Sequence, residues 1–151
     1  MKKLVLRAEQ MLYTEDMANQ EVVDGVRDLV DEIRNRIAIR NPVYVMRFSM
    51  FLGRYAIFQG NKRTRASELT NLPIKSLEIE NARDFQRAQR DQPSIWHNIA
   101  EEEFMRHNGQ YFFMDLKSLK QRGLLCSDYH RARRRICEAV YTLYPYLFSK
   151  A

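Results

Sequence analysis

Gly60-Asn61-Lys62-Arg63-Thr64-Arg65-Ala66-Ser67-Glu68-Leu69-Thr70-Asn71-Leu72-Pro73-Ile74-Lys75-Ser76-Leu77 packs four cations, a short helical pattern and a tight turn into one stretch. Thr64 to Leu69 can form a first helix with Ala66 and Leu69 facing inward. Thr70 and Asn71 favour a turn, and Pro73 fits the first position of a second helix, where a missing N–H costs nothing. Ile74, Leu77 and Phe85 would continue the inward face. This is the pattern of a helix-turn-helix DNA reader. Lys75 and Ser76 would stand at the base-reading end of the second helix, with Lys62, Arg63 and Arg65 on phosphates and Arg83, Arg87 and Arg90 on the following flank. A solvated helical hairpin would give the same pattern, and Glu78, Glu80 and Asp84 would repel phosphate unless they point away from the groove.

The surrounding sequence predicts further helices. Between about Thr14 and Ile39, Val22, Val26, Leu29, Val30, Ile33 and Ile37 form one apolar stripe. Glu15 and Asp16 precede it, and Arg34, Arg36 and Arg40 close it, an order that suits the helix dipole. Asn41-Pro42 ends that helix, and an aromatic-rich one is expected from Val43 through Phe58, with Tyr44, Phe48, Phe51, Leu52, Tyr55 and Phe58 available for burial. Asp91-Gln92-Pro93 ends the helix that holds Ile74. Trp96, Ile99, Phe104 and Met105 restart an apolar pattern, and Tyr111 to Met114 fits a short strand or a helix edge. Asp115 opens a helix that Gly123 closes, and Ser127 and Asp128 cap a last helix with Ile136, Val140, Leu143 and Tyr144 inward. The expected fold is therefore all-α, a single compact core over 42–151 with an N-terminal helical arm or oligomerisation element over 1–41.

The chain has 151 residues, 45% of them apolar, enough for one ordinary core, and only five glycines and four prolines to interrupt it. Its net charge of +6 favours an acidic partner such as nucleic acid. Cys126 and Cys137, with His130 the nearby imidazole, give neither a disulfide framework nor a closed zinc site, so both read as reduced thiols, with Cys137 in the core. No apolar run is long enough to span a bilayer, and Leu4-Val5-Leu6 is too short for a signal h-region, which places the expected protein in the cytoplasm.

Catalytic chemistry is not expected. Gly60-Asn61-Lys62-Arg63-Thr64 resembles the end of the Fic motif, but Tyr55 stands where that family has its catalytic His and Gln59 where it has its metal-binding acid. At most a degenerate Fic scaffold would remain. His97, His107 and Glu101-Glu102-Glu103 invite a metal reading, yet consecutive glutamates point in different directions around a helix. No phosphate loop, nucleophile elbow or triad spacing occurs. No cofactor or metal is implied. Arg131, Arg134 and Arg135 share a helix face with Glu138, forming either a second basic patch or an internally paired cluster.

From about Ala56 to Tyr146 the chain resembles FlhC, the larger subunit of the bacterial flagellar master regulator, and its relatives in conjugative elements. The resemblance lies in Gly60 ten residues before the Thr70-x-Leu72 turn, the aromatic start at Trp96 after Pro93, and then His107, Phe112, Leu116, Leu119, Gly123-Leu124 and Arg133 to Tyr144. Family members carry a four-cysteine zinc site in a segment that would begin where this chain stops, so zinc is not carried over. The resemblance implies a transcription activator subunit that binds double-stranded promoter DNA together with a second regulator subunit and contacts RNA polymerase. The alternative is a helical protein-interaction module, an inhibitor or adaptor of a phage or mobile element.

Overall fold

In a computed structural model of the chain, the described residues are 1–35, 41–92, 96, 116–123 and 128–143. Ile74, Ser76 and Glu78 are buried while Lys75 between them is exposed. That period of two belongs to a strand, and Ile74–Glu78 is indeed one. The expected second helix of a helix-turn-helix is thus a strand, and the all-α fold is overturned by a five-stranded mixed sheet.

The chain divides into two compact units, 1–80 and 81–151. The first unit contains β1 (Lys2–Leu6), a 3-10 turn at Ala8–Gln10, β2 (Met11–Leu12), α1 (Gln20–Arg34), β3 (Val43–Arg47), β4 (Tyr55–Gln59), α2 (Asn61–Leu69) and β5 (Ile74–Glu78). The strands lie in the order β1-β5-β3-β4-β2. β5 runs parallel to β3 and β2 parallel to β4, while the β1–β5 and β3–β4 pairs are antiparallel. Residues 1–41 are therefore built into this unit, through β1 on the sheet edge and α1 against α2.

The stretch expected to be one aromatic helix is two strands. Val43-Tyr44-Val45-Met46 is a run buried at every position. Such a run suits a strand covered on both faces, and in so short a segment helical and strand periods cannot be told apart. Val43, Val45, Ile57, Ile74 and Leu6 gather on one face with Ala8 and Met11. The alternate residues Tyr44, Met46, Ala56 and Phe58 are buried as well. The connection between β3 and β4 turns at Leu52 and Gly53, both with positive φ.

The apolar stripe of α1 is real, but it is buried. Val22, Val26 and Val30 pack with Ala66 of α2, supported by Met17, Leu29 and Ile33, while Ile37 lies outside the described residues. The helix starts later than its pattern suggested because the Asn19 side chain accepts from the Glu21 N–H, a cap that sets the first turn. This stripe and the aromatic strands consequently do not supply an exposed apolar surface in search of a partner.

At the β4–α2 junction, Gly60 has φ 119°, and a Cβ built there would lie 2.8 Å from Val43 Cγ2. Only glycine satisfies both the backbone and the contact. The following residue, Asn61, is buried and locked to Thr14. Its Oδ1 accepts from the Thr14 N–H at 2.9 Å, and its Nδ2 donates to the Thr14 hydroxyl at 3.0 Å. That hydroxyl donates to the Ile57 carbonyl at 2.6 Å.

The second unit contains α3 (Ala82–Asp91), α4 (Leu116–Gln121) and α5 (Asp128–Leu143). Gly123, with φ 71°, donates to the Lys120 carbonyl and closes α4, as its sequence suggested. Ile136, Cys137 and Val140 are buried on α5. Ser127, Tyr144 and the segment 97–115 lie outside the described residues.

Two glycine substitutions should separate in sign. Gly60→Ala is expected to destabilise by more than about 2 kcal/mol, from left-handed strain plus the Val43 clash. Gly25→Ala, inside α1 and facing only the flexible end of Lys62, should instead gain about 0.5–1 kcal/mol of helix propensity. Denaturant unfolding of both variants checks this. A neutral Gly60→Ala would sink the account of the junction.

Candidate nucleic-acid interface

Of the three cations of α2 expected on phosphates, Arg63 is tied into the fold, Lys62 lies across α1 and Arg65 forms an exposed pair with Glu68. Arg63 Nη1 donates to the carbonyls of Asn41 at 3.0 Å and Pro42 at 2.8 Å, tying α2 to the start of β3. Burial pushes its pKa below the ordinary arginine value, with Tyr44 acting the other way, and a guanidinium in this position still keeps its charge. The Lys62 stem lies across Gly25 of α1. Arg65 pairs with Glu68, whose carboxylate also accepts from the Tyr13 hydroxyl at 3.4 Å. Burial and the Glu68 charge push the Tyr13 hydroxyl up to about 12.

Lys75 and Ser76 do not stand at the tip of a recognition helix. Lys75 is exposed on β5 opposite Val5 of β1, and Ser76, on the other face, is only 3% exposed, with its hydroxyl donating to the Ile74 carbonyl at 3.3 Å. The structure puts these two on opposite faces of β5.

Those three arginines do share a surface. α3 begins where the Asn81 side chain accepts from the Asp84 N–H at 2.9 Å, a cap that stops the preceding strand from continuing and resets the period. Phe85 and Ala88 face inward, which leaves Arg83, Gln86, Arg87 and Arg90 exposed along one stripe at helical spacing. Asp91 lies 3.7 Å from Arg87 and 4.0 Å from Arg90, both as exposed pairs. Exposed pairs of this kind are worth little, so the guanidiniums can exchange one carboxylate for phosphates at small cost.

No protein-family model matches this chain, and no curated protein matches it.

The second basic patch is divided. Arg134 is 3% exposed and lies 3.0 Å from Glu138, which also pairs with Arg135. Arg131 is half-buried, and Arg133 sits over the Trp96 ring, 5.6 Å from its centroid. Internal pairing therefore uses most of this cluster. Among the described residues no three His, Cys, Asp or Glu come together as metal ligands. His97, Glu101 to Glu103, His107 and Cys126 lie outside them. Cys137 is a buried free thiol. No described helix is long and apolar enough to cross a membrane.

The acidic residues that argued against a DNA reader do not share one helix. Asp84 sits in the first turn of α3, where its charge suits the helix dipole. Glu78 is 5% exposed on the sheet face opposite Lys2 in register, and its Oε1 has no hydrogen-bond partner. Burial raises its pKa first, then a hydrogen bond and the charge of Glu80, while Lys2 and Arg47 oppose them. Strand periodicity was the signal that could have found it, since Glu78 falls in step with Ile74 and Ser76.

A carboxyl whose folded pKa is raised binds its proton more tightly in the folded state than in the unfolded one. Its contribution to stability therefore falls as pH rises from the ordinary carboxylate range through the raised value, and stays low above it. Glu78→Gln should accordingly raise the melting temperature at neutral pH, by about 2–8 °C per kcal/mol recovered, and flatten the pH dependence over that window. Identical melting profiles for the variant and the parent from pH 4 to pH 8 would show that Glu78 pays no such desolvation cost.

Proposed function

We propose that the chain is a double-stranded-DNA-binding protein whose phosphate contacts are made by the arginine face of α3. The observation that carries this reading is the stripe Arg83, Gln86, Arg87 and Arg90, exposed and backed by a buried apolar side. The net charge of +6 supports it. A helix is the right width for the major groove, and guanidiniums at this spacing reach successive phosphates. Gln86, in the middle of the stripe, is the side chain suited to a base edge. No helix-turn-helix is involved, and Arg63 of α2 serves folding.

A regulatory role in the cytoplasm, as one subunit of a promoter-bound activator with a second regulator subunit and RNA polymerase as partners, belongs to the same proposal and rests on the resemblance alone. Co-purification from host extract, probed for DNA and for a partner subunit, tests that part. One observation favours the alternative of a protein-interaction module. The outer face of α1 exposes Glu21, Asp28, Asp31 and Glu32, which would repel DNA and attract a basic protein surface.

Affinity for a labelled duplex should fall steeply with salt, because each phosphate contact releases condensed counterion at a slope of about −0.9 per contact. Arg83→Ala, Arg87→Ala and Arg90→Ala together should weaken binding to all sequences alike and reduce that slope by about 2–3. Arg63→Ala should lower the melting temperature and leave the slope as it is. Fluorescence anisotropy over a salt series reads both, and an unchanged slope in the folded triple variant would refute the assignment to α3.

A further inference from the structure

The connection between β3 and β4 is firmly held except at one point. A 3-10 turn at Ser49–Phe51 follows β3. Phe51 is buried and meets the Phe48 ring edge-on, with centroids 6.1 Å apart at 77°. The Arg54 N–H donates to the Phe51 carbonyl at 3.0 Å, and the Arg54 guanidinium donates to the Met11 carbonyl on β2 at 3.2 Å. At the tip, Leu52 is 92% exposed and has φ 45° and ψ 55°. Gly53 beside it faces open space, where an added Cβ would meet nothing within 4 Å.

Folding accounts for the turn but not for a leucine in it. The left-handed region is uphill for any residue with a Cβ, and glycine or asparagine would take it more easily. A leucine normally repays such a conformation by burial, and this one buries almost nothing. A rigid turn thus displays an apolar side chain outward at a conformational cost, and an observed outlier of this kind is a reason to look for a contact outside the molecule.

The charge around the tip says what kind. Arg47 and Arg54, both exposed, stand at the two strand ends that flank it. Glu78, an acid near Arg47, is buried and favours its neutral form, and Glu80, two residues on, is exposed. An apolar wedge between cations fits a duplex whose base steps can open and whose phosphates lie on either side.

We propose that the β3–β4 turn is a wedge that inserts Leu52 between two base pairs of duplex DNA from the minor groove, with Arg47 and Arg54 on the flanking phosphates. This rests on the DNA-binding reading above and adds a deformation of the duplex, so that steps that unstack easily, such as TA, are preferred.

The test uses the full chain and a duplex of about two helical turns with a central TA step, carrying the fluorescent adenine analogue aminopurine beside that step and a dye at one end. Anisotropy of the dye reports binding, and aminopurine fluorescence reports unstacking. The wild-type chain should bind with salt dependence and raise the aminopurine signal severalfold. Leu52→Gly should melt at the same temperature or higher, because it relieves the backbone, and should bind within about tenfold of wild type while losing the unstacking signal. Binding without unstacking, or unstacking unchanged in Leu52→Gly, overturns the wedge and leaves DNA binding standing. Absence of salt-dependent binding overturns both. Leu52-dependent binding to anionic vesicles in place of the duplex would overturn the wedge in favour of a membrane surface.

Discussion

Everything in the first unit depends on how the chain leaves β4 and enters α2. Gly60 can turn there only because it has no Cβ to strike Val43, and the turn puts Asn61 where its amide meets Thr14. Thr14 in turn spends its hydroxyl proton on the Ile57 carbonyl. A few hydrogen bonds, all out of water, thus join β4, the end of β2 and the start of α2. Each is worth about 1 kcal/mol while intact, but an unpaired buried partner costs about 1–3 kcal/mol, so the junction is more strongly enforced than its net energy suggests. Arg63, one helical turn on, adds β3 by donating to two carbonyls at its start.

That junction explains why the most basic stretch of the chain is not its most exposed cationic surface. Once Gly60 and Asn61 fix the direction of α2, Lys62 must lie along α1, Arg63 must face β3 and Arg65 must meet Glu68. The guanidinium of Arg63 gives one nitrogen to both carbonyls and so ties α2 to the start of β3. Exposed cations stand on α3 and at the ends of β3 and β4, and also at Lys75 on β5.

Much of α1 was legible because an amphipathic helix of four turns repeats its signal often enough to be read, as Val22, Val26 and Val30 do. Gly123 was legible because a glycine after a helix has few other uses. The strands were not, for a physical reason: in Val43 to Met46 every residue is buried, so no alternation survives in the sequence. In Ile74 to Glu78 the alternation is present, but a buried glutamate disguises it as a charged helix face. Pro73 added to the error, since it suits the entry to a strand as well as the first turn of a helix. The arginines of α3 could be picked out as cations, yet their common face appears only once Asn81 restarts the helix and sets Phe85 and Ala88 inward. Leu52 read as one more core aliphatic, because nothing but the neighbouring Gly53 marks a turn there.

The same displacement of elements takes Glu78 off the helix that carries Arg83, Arg87 and Arg90. On one continuous helix from Ile74 to Asp91, Glu78, Glu80 and Asp84 would share a surface with the arginines and cancel their field. With a strand ending at Glu78 and a helix starting at Ala82, Glu78 is buried on the sheet, while Asp84 stays on α3 between Arg83 and Arg87. Burial disfavours the Glu78 charge further. What a sequence count scores as one mixed-charge segment is a strand with a buried glutamate followed by a helix whose exposed stripe is Arg83, Gln86, Arg87 and Arg90, and it is secondary structure rather than net charge that separates them.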